Sequence, residues 1–159
     1  YYNSRDESET YSLSFDDANA STADYIVYIK NDKTDGKEMV FTEIIAGCES
    51  SSAIYKLSLV TGTAVGGATL TPTNDNQAGQ SKESTSTALA PVDSSATPMT
   101  GLTESKVFVQ FSTSGAYASK DVNLRDQIRL GQGQAIALEL DFAGAADVRT
   151  FGTLFYFFE

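Results

Sequence analysis

The sequence predicts an all-β protein built as an antiparallel β-sandwich, and three features carry that expectation. Ile136, Leu138, Leu140 and Phe142 alternate with Ala135, Ala137, Glu139 and Asp141, the period-two pattern of a half-buried strand. Thr153-Leu154-Phe155-Tyr156-Phe157-Phe158 is apolar on both faces, as a central strand covered on both sides must be. Roughly a fifth of the chain is Ser or Thr, while Glu, Lys, Gln and Leu are sparse, which favours strands and polar loops over helices. The last two strands, joined by a small-residue turn at Ala143–Ala146 around Gly144, read as the inner hairpin of the core.

The other strands follow in chain order. Tyr1–Thr10 is polar and aperiodic and reads as an N-terminal arm, either mobile or docked on a neighbour. Residues 11–159 then form one domain, large enough for a core without staples. Tyr11, Leu13 and Phe15 alternate with serines, and Asp16–Ala23 is a turn-rich connection. Asp24–Lys30 has Ile26 and Tyr28 on one face and Tyr25, Val27 and Ile29 on the other. Asp35-Gly36 signals a hairpin, because the turn needs positive φ. Glu38–Ala46 ends at Gly47, Ser50–Ser52 breaks the pattern, and Ala53–Val60 resumes it with Tyr55, Leu57 and Leu59 on one side. Thr61–Gly79 and Ala90–Pro98 are long polar loops, of the kind that forms binding surface or Ω-loops. Within the first, Ala68–Thr73 is a short strand, and between the two Gln80–Leu89 is an extended, mostly polar one. Lys106–Ser112 places Val107, Val109 and Phe111 on one face, whereas Val122–Leu130 fits a strand and a helical turn equally badly. The count of eight to ten strands suits a jelly roll or an immunoglobulin-like sandwich, and strand order stays open between them.

Composition narrows the chemistry. Net charge is −10, with 21 acids against 11 bases, so phosphate neutralisation on nucleic acid is not expected. The charge reads as solubility or as a complement to a basic surface on a partner. No apolar run is long enough to span a membrane as a helix. Cys48 is the single cysteine, which rules out an intrachain disulfide, and it reads as a small buried hydrophobe. The chain has no histidine, hence no imidazole base or ligand. It opens on Tyr1 with neither an initiator Met nor a signal-peptide pattern, which leaves processing and trimming both open.

Several motifs invite a chemical reading, and each has a plainer one. Asn31-Asp32-Lys33-Thr34-Asp35-Gly36 resembles a calcium loop, but Lys33 occupies a ligand position and no bidentate Glu follows, so a turn is expected. Asn74-Asp75-Asn76 could offer oxygens to a cation and reads more simply as a loop turn. Glu139 and Asp141 share one strand face, whereas a glycosidase places two carboxylates across a cleft. Gly62–Gly67 lacks the Lys-Ser/Thr ending of a phosphate loop, and Gly131-Gln132-Gly133 is a turn. No catalytic, cofactor-binding or metal-binding residue is assigned, no cofactor is expected, and the chain is not expected to be an enzyme. For glycan recognition, Tyr1, Tyr2 and Tyr117 are the candidate exposed aromatics.

The order of signals also resembles a group of small virion proteins of tailed bacteriophages with a jelly-roll sandwich. The resemblance lies in Met39-Val40-Phe41-Thr42-Glu43-Ile44-Ile45 followed by Tyr55-Lys56-Leu57-Ser58, then in Thr61-Gly62-Thr63, Gly66-Gly67 and Leu70-Thr71-Pro72-Thr73-Asn74-Asp75-Asn76 with the Ser-rich run Gln80–Ala88. It ends in Leu130-Gly131-Gln132-Gly133-Gln134 leading into Ile136–Phe142 and the aromatic last strand. It implies a jelly roll and a capsid decoration (cement) protein: a homotrimer on the outer capsid surface of the virion whose partner is the major capsid protein lattice. No individual capsid-contact residue is carried over. The alternative is a receptor- or glycan-binding tip or adhesin domain.

Overall fold

The computed structural model describes residues 9–20, 22–75, 86–90, 99–144 and 147–159. Every regular element among them is a strand: β1 (Thr10–Ala20), β2 (Asp24–Asn31), β3 (Met39–Cys48), β4 (Ala53–Val65), β5 (Ala68–Thr69), β6 (Thr73–Asn74), β7 (Ser86–Ala90), β8 (Thr100–Thr113), β9 (Ser119–Leu130), β10 (Ala135–Phe142) and β11 (Val148–Phe158). A five-stranded sheet runs β6-β1-β11-β3-β9 and a six-stranded sheet runs β5-β7-β2-β10-β4-β8. All pairings are antiparallel.

The strand order is that of a jelly roll. Four pairs nest inside one another: β1 with β11, β2 with β10, β3 with β9, and β4 with β8. This is one long hairpin folded over itself, and the wrap adds the pairs β11–β3 and β10–β4 that make two sheets. Consecutive strands β1 to β4 therefore alternate between sheets. Two expectations are corrected by this wrap. β10 and β11 are not a hairpin but lie in opposite sheets, each flanked by two long strands. Asp35-Gly36 does not close a hairpin either. It turns the chain from β2 in one sheet to β3 in the other, with Gly36 at φ 84°.

The core lies between the sheets. Tyr11, Leu13 and Phe15 of β1, Phe41 and Ile44 of β3, and Leu154, Tyr156 and Phe158 of β11 face Tyr55, Leu57, Ile136, Leu138 and Leu140. Tyr11 stacks on Tyr156 at 5.4 Å between ring centroids, and Tyr55 on Phe111 at 5.2 Å. The buried Tyr55 hydroxyl donates to the Gly47 carbonyl at 2.7 Å and lies 2.9 Å from the Thr150 hydroxyl, so its polar tip is satisfied. On the outer face of β11, Phe157 is buried and Phe151 lies opposite Gly47, but Phe155 is half-buried and borders an open hollow, so the double-sided apolar strand is covered only in part on that face. Gly152 sits where a Cβ would meet the Ile45 carbonyl at 2.1 Å and the Phe15 ring at 2.7 Å; only glycine lets the strands and that ring approach so closely.

Bulges account for the remaining departures. In β3, Thr42 is an extra residue against β11, which shifts the inward parity from Met39 and Phe41 to Ile44, Ala46 and Cys48. In β8, Phe108 and Ser105 are extra against β4. Phe108, Val109 and Phe111 pack on the core as a result, and Val107 is turned outward at 40% exposure, not inward with Val109 as its spacing suggests. The expected Ala68–Thr73 strand is two separate pieces, β5 and β6, which extend opposite sheets. The Gln80–Leu89 strand is represented by β7; residues 80–85, like most of Ala90–Pro98, lie outside the described residues.

Glu9 and Thr10, expected at the end of an arm, belong to the sandwich. Residues 1–8 lie outside the described residues, but Glu9 is buried and Thr10 opens β1. Both Lys33 and Lys37 bond the Glu9 carboxylate, and Lys33 also lies 5.0 Å above the Phe158 ring centroid. This clasp ties the entry of β1 to the β2–β3 turn.

Candidate interaction surface

The short strands make the sandwich asymmetric. On the β1–β2 side, β6 extends one sheet and β7 and β5 extend the other. On the opposite side, β9 ends the five-stranded sheet and β8 ends the six-stranded sheet, each a long strand with one free edge. No ladder joins β8 to β9, so the sandwich is open between them.

A groove of about 510 Å³ fills that opening. Its lining combines apolar side chains, Val107, Phe108 and Val109 from β8 and Val122, Leu124 and Ile128 from β9, with the polar Asn123 and Gln127. Lys106 and Arg125 stand on its rim, with no Asp or Glu in its lining. Lys106 Nζ lies 5.5 Å from the Phe108 ring centroid, which holds the ammonium over the floor.

β9 explains why its spacing fitted no simple period. Phe41 pairs with Ile128 and Glu43 with Asn123, so the four residues Leu124–Gln127 stand opposite Thr42 alone. Within this wide bulge Arg125 and Asp126 are both left-handed, at φ 54° and 56°. Two consecutive non-glycine residues in that region cost about 1–2 kcal/mol each. The Asn123 side-chain oxygen accepts the Arg125 N–H at 2.8 Å and steadies the turn. The bulge brings Arg125 to the groove and breaks the flat edge of β9.

Behind the bulge, a hollow of about 600 Å³ on the outer face of the same sheet is lined by Glu43, Asp75 and Asp126 among others, with Arg125 bordering both cavities. A hydrogen bond with Asp121 and then burial hold the Glu43 carboxyl above its ordinary range. No group of three or more metal-binding side chains occurs among the described residues.

The loops 22–23, 49–52, 114–118 and 143–144 gather at one end of the sandwich. Tyr117 is 61% exposed there, at φ 59°. Its N–H donates to the Cys48 carbonyl at 2.8 Å and its hydroxyl to Glu49 at 3.2 Å. Glu49 also accepts the Arg149 N–H at 3.1 Å, and the Arg149 guanidinium pairs with Asp16 through two bonds. A strained, exposed aromatic with charged neighbours is a platform on which a sugar ring could stack.

The motifs singled out in the sequence are placed as follows. The Asn31 amide donates to the Lys37 and Leu130 carbonyls at 3.1 and 2.8 Å, and its oxygen accepts the Lys33 N–H at 2.9 Å, so it ties the turn together. Asp75 accepts the Ser12 hydroxyl at 2.9 Å, while Asn76 lies outside the described residues. Glu139 and Asp141 separate in role. Glu139 shares Lys56 with Glu104, at 3.5 and 3.1 Å, and Asp141 accepts the Thr22 hydroxyl at 2.7 Å. Gly66 and Gly67 turn the chain from β4 to β5, and Gly131–Gly133 turn it from β9 to β10. Cys48 is buried, and burial pushes its thiol up. Tyr1 and Tyr2 lie outside the described residues.

The groove was not read from the sequence. One signal was present: Asp126 occupies the slot where the period of Val122, Leu124, Ile128 and Leu130 calls for an apolar residue. No family model, curated protein or solved structure matches the chain.

Proposed function

We propose that this chain is a non-enzymatic virion protein that binds an assembled phage capsid on its outer surface and stabilises it, as a decoration or cement protein acting as a homotrimer. The observation that supports this most directly is the open β8–β9 side. It is a groove that combines apolar side chains with Lys106 and Arg125, features that suit docking on a protein lattice. The jelly roll is compatible, since viral capsid and lectin domains both use it, and the fold alone does not choose between them. Binding only the assembled shell would favour it by mass action, and several weak contacts from one trimer would add through effective concentration.

Cosedimentation of the purified chain with its parent particle tests this reading. Saturable binding to assembled particles, absent with unassembled capsid subunits, is expected; no affinity for the particle would overturn it. Native mass across a dilution series tests the trimer separately.

Tyr117 favours a second reading, a glycan-binding tip. Saturable binding on a glycan array, abolished by Tyr117→Ala, would select that reading over the first.

A further inference from the structure

The cations of this chain are not distributed evenly. Of the nine lysines and arginines within the described residues, six pair with carboxylates: Lys30, Lys33, Lys37, Lys56, Arg129 and Arg149. The other three, Lys106, Lys120 and Arg125, have no carboxylate partner among the described residues, and all three lie on β8 and β9. Lys120 lies outside the groove's lining, on the same face of β9 as Val122 and Leu124 by period two. In a chain with 21 acids and 11 bases, unpaired cations concentrated on one side of the sandwich mark where negative charge is wanted from outside.

The edges restrict how that charge can arrive. β8 carries bulges at Ser105 and Phe108, and β9 carries the left-handed Arg125–Asp126 bulge. Neither edge offers a continuous flat ladder for an added strand. An occupant must be held by side chains: apolar groups on the floor and carboxylates toward Lys106 and Arg125.

We infer that the β8–β9 groove binds an extended acidic polypeptide segment with interspersed aliphatic residues, supplied by a protein other than this one. The inference rests on reading the β8–β9 side as the docking side and names its occupant. A second copy is disfavoured in this groove, because the bulges deny it edge-to-edge pairing through its own β8 or β9, and a trimer would use another face. Nucleic acid is disfavoured because the groove offers a single aromatic ring, Phe108, and two cations, where several base-stacking platforms and a basic track are the rule.

The test uses the full chain and a fluorescein-labelled peptide of repeating Glu-Val-Glu-Leu, read by anisotropy. Controls are a Lys-Val-Lys-Leu repeat, a Glu-Ser repeat without aliphatic groups, and an oligothymidine. Saturable binding of the first peptide alone is expected. Added salt weakens it, and K106Q/R125Q weakens it about tenfold or more. K30Q, which removes a cation away from the groove, leaves it unchanged. Single K106Q, which does not touch the strained bulge, gives a smaller loss in the same direction and guards against misfolding of the double variant. Equal binding of the basic repeat, competition by oligothymidine, no saturable binding, or self-association lost in K106Q/R125Q would each overturn the inference. Running the same variants against particles separates it from the decoration reading. Particle binding unaffected by K106Q/R125Q overturns the groove assignment and leaves decoration standing. Charge-dependent peptide binding without any particle binding does the reverse.

Discussion

Glu9 is a buried carboxylate whose ionisation supports this fold. Burial pushes its pKa up, but the hydrogen bonds and charges of Lys33 and Lys37 outweigh burial and hold it below the ordinary 4.5. A carboxylate whose folded pKa lies below its unfolded value contributes stability that is complete above about 4.5 and is lost as pH falls through the folded value. Urea unfolding between pH 7 and pH 3 is expected to show that loss, with a flatter profile in Glu9→Gln. At pH 7 the same substitution leaves two part-buried ammoniums facing a neutral amide and is expected to cost about 3 kcal/mol. Glu43 has the opposite sign. Its raised pKa beside Asp121 means that ionising Glu43 works against the fold as pH rises through the carboxylate range. Glu43→Gln is expected to stabilise at pH 7 and to have little effect at pH 3, where Glu43 is protonated; the same denaturation series reads it. Neither effect was legible in the sequence. Glu9 looked like part of an arm, and its lysines lie across a turn that only the fold brings to it.

Strands were legible where period two is unbroken and misread where a bulge intervenes. Tyr11, Leu13 and Phe15 face the core as their alternation requires. Val107 does not, because Phe108 is an extra residue against β4 and shifts the parity on either side of it. A bulge is a cross-strand property, visible only when the partner's register is known. The β9 bulge carries its own test. Glycine tolerates the left-handed region without the Cβ penalty, so Asp126→Gly is expected to raise stability by about 1 kcal/mol in chemical denaturation, while leaving groove binding to Arg125. β11 gives the contrary case: Gly152→Ala places a methyl group against the Ile45 carbonyl and is expected to cost about 2–3 kcal/mol in the same assay.

Across the whole molecule the nested pairing sets how the chain must fold. Thr10 pairs with Phe157 and Met39 with Leu130, so most of the ladder joins residues far apart in sequence. Loop closure must precede nearly every favourable contact, and stopped-flow refolding is expected on the millisecond-to-second scale typical of such topologies. The same wrap leaves β8 and β9 as bare edges, opposite the side extended by β5, β6 and β7. Their bulges blunt them against strand addition, which is consistent with a surface that recognises side chains.

The sequence by itself determined the all-β class, the identity of most core residues, the central place of β11 in its sheet and the turns at Gly36 and Gly131–Gly133. These follow from local rules: side-chain alternation, turn chemistry and the scarcity of helix formers act over a few residues each. The assignment of β10 and β11 to opposite sheets, the clasp on Glu9, the bulges and the groove with its unpaired cations were decided only by the tertiary structure. Each depends on which strands become neighbours, and in a wrapped hairpin those neighbours lie up to the full length of the chain apart.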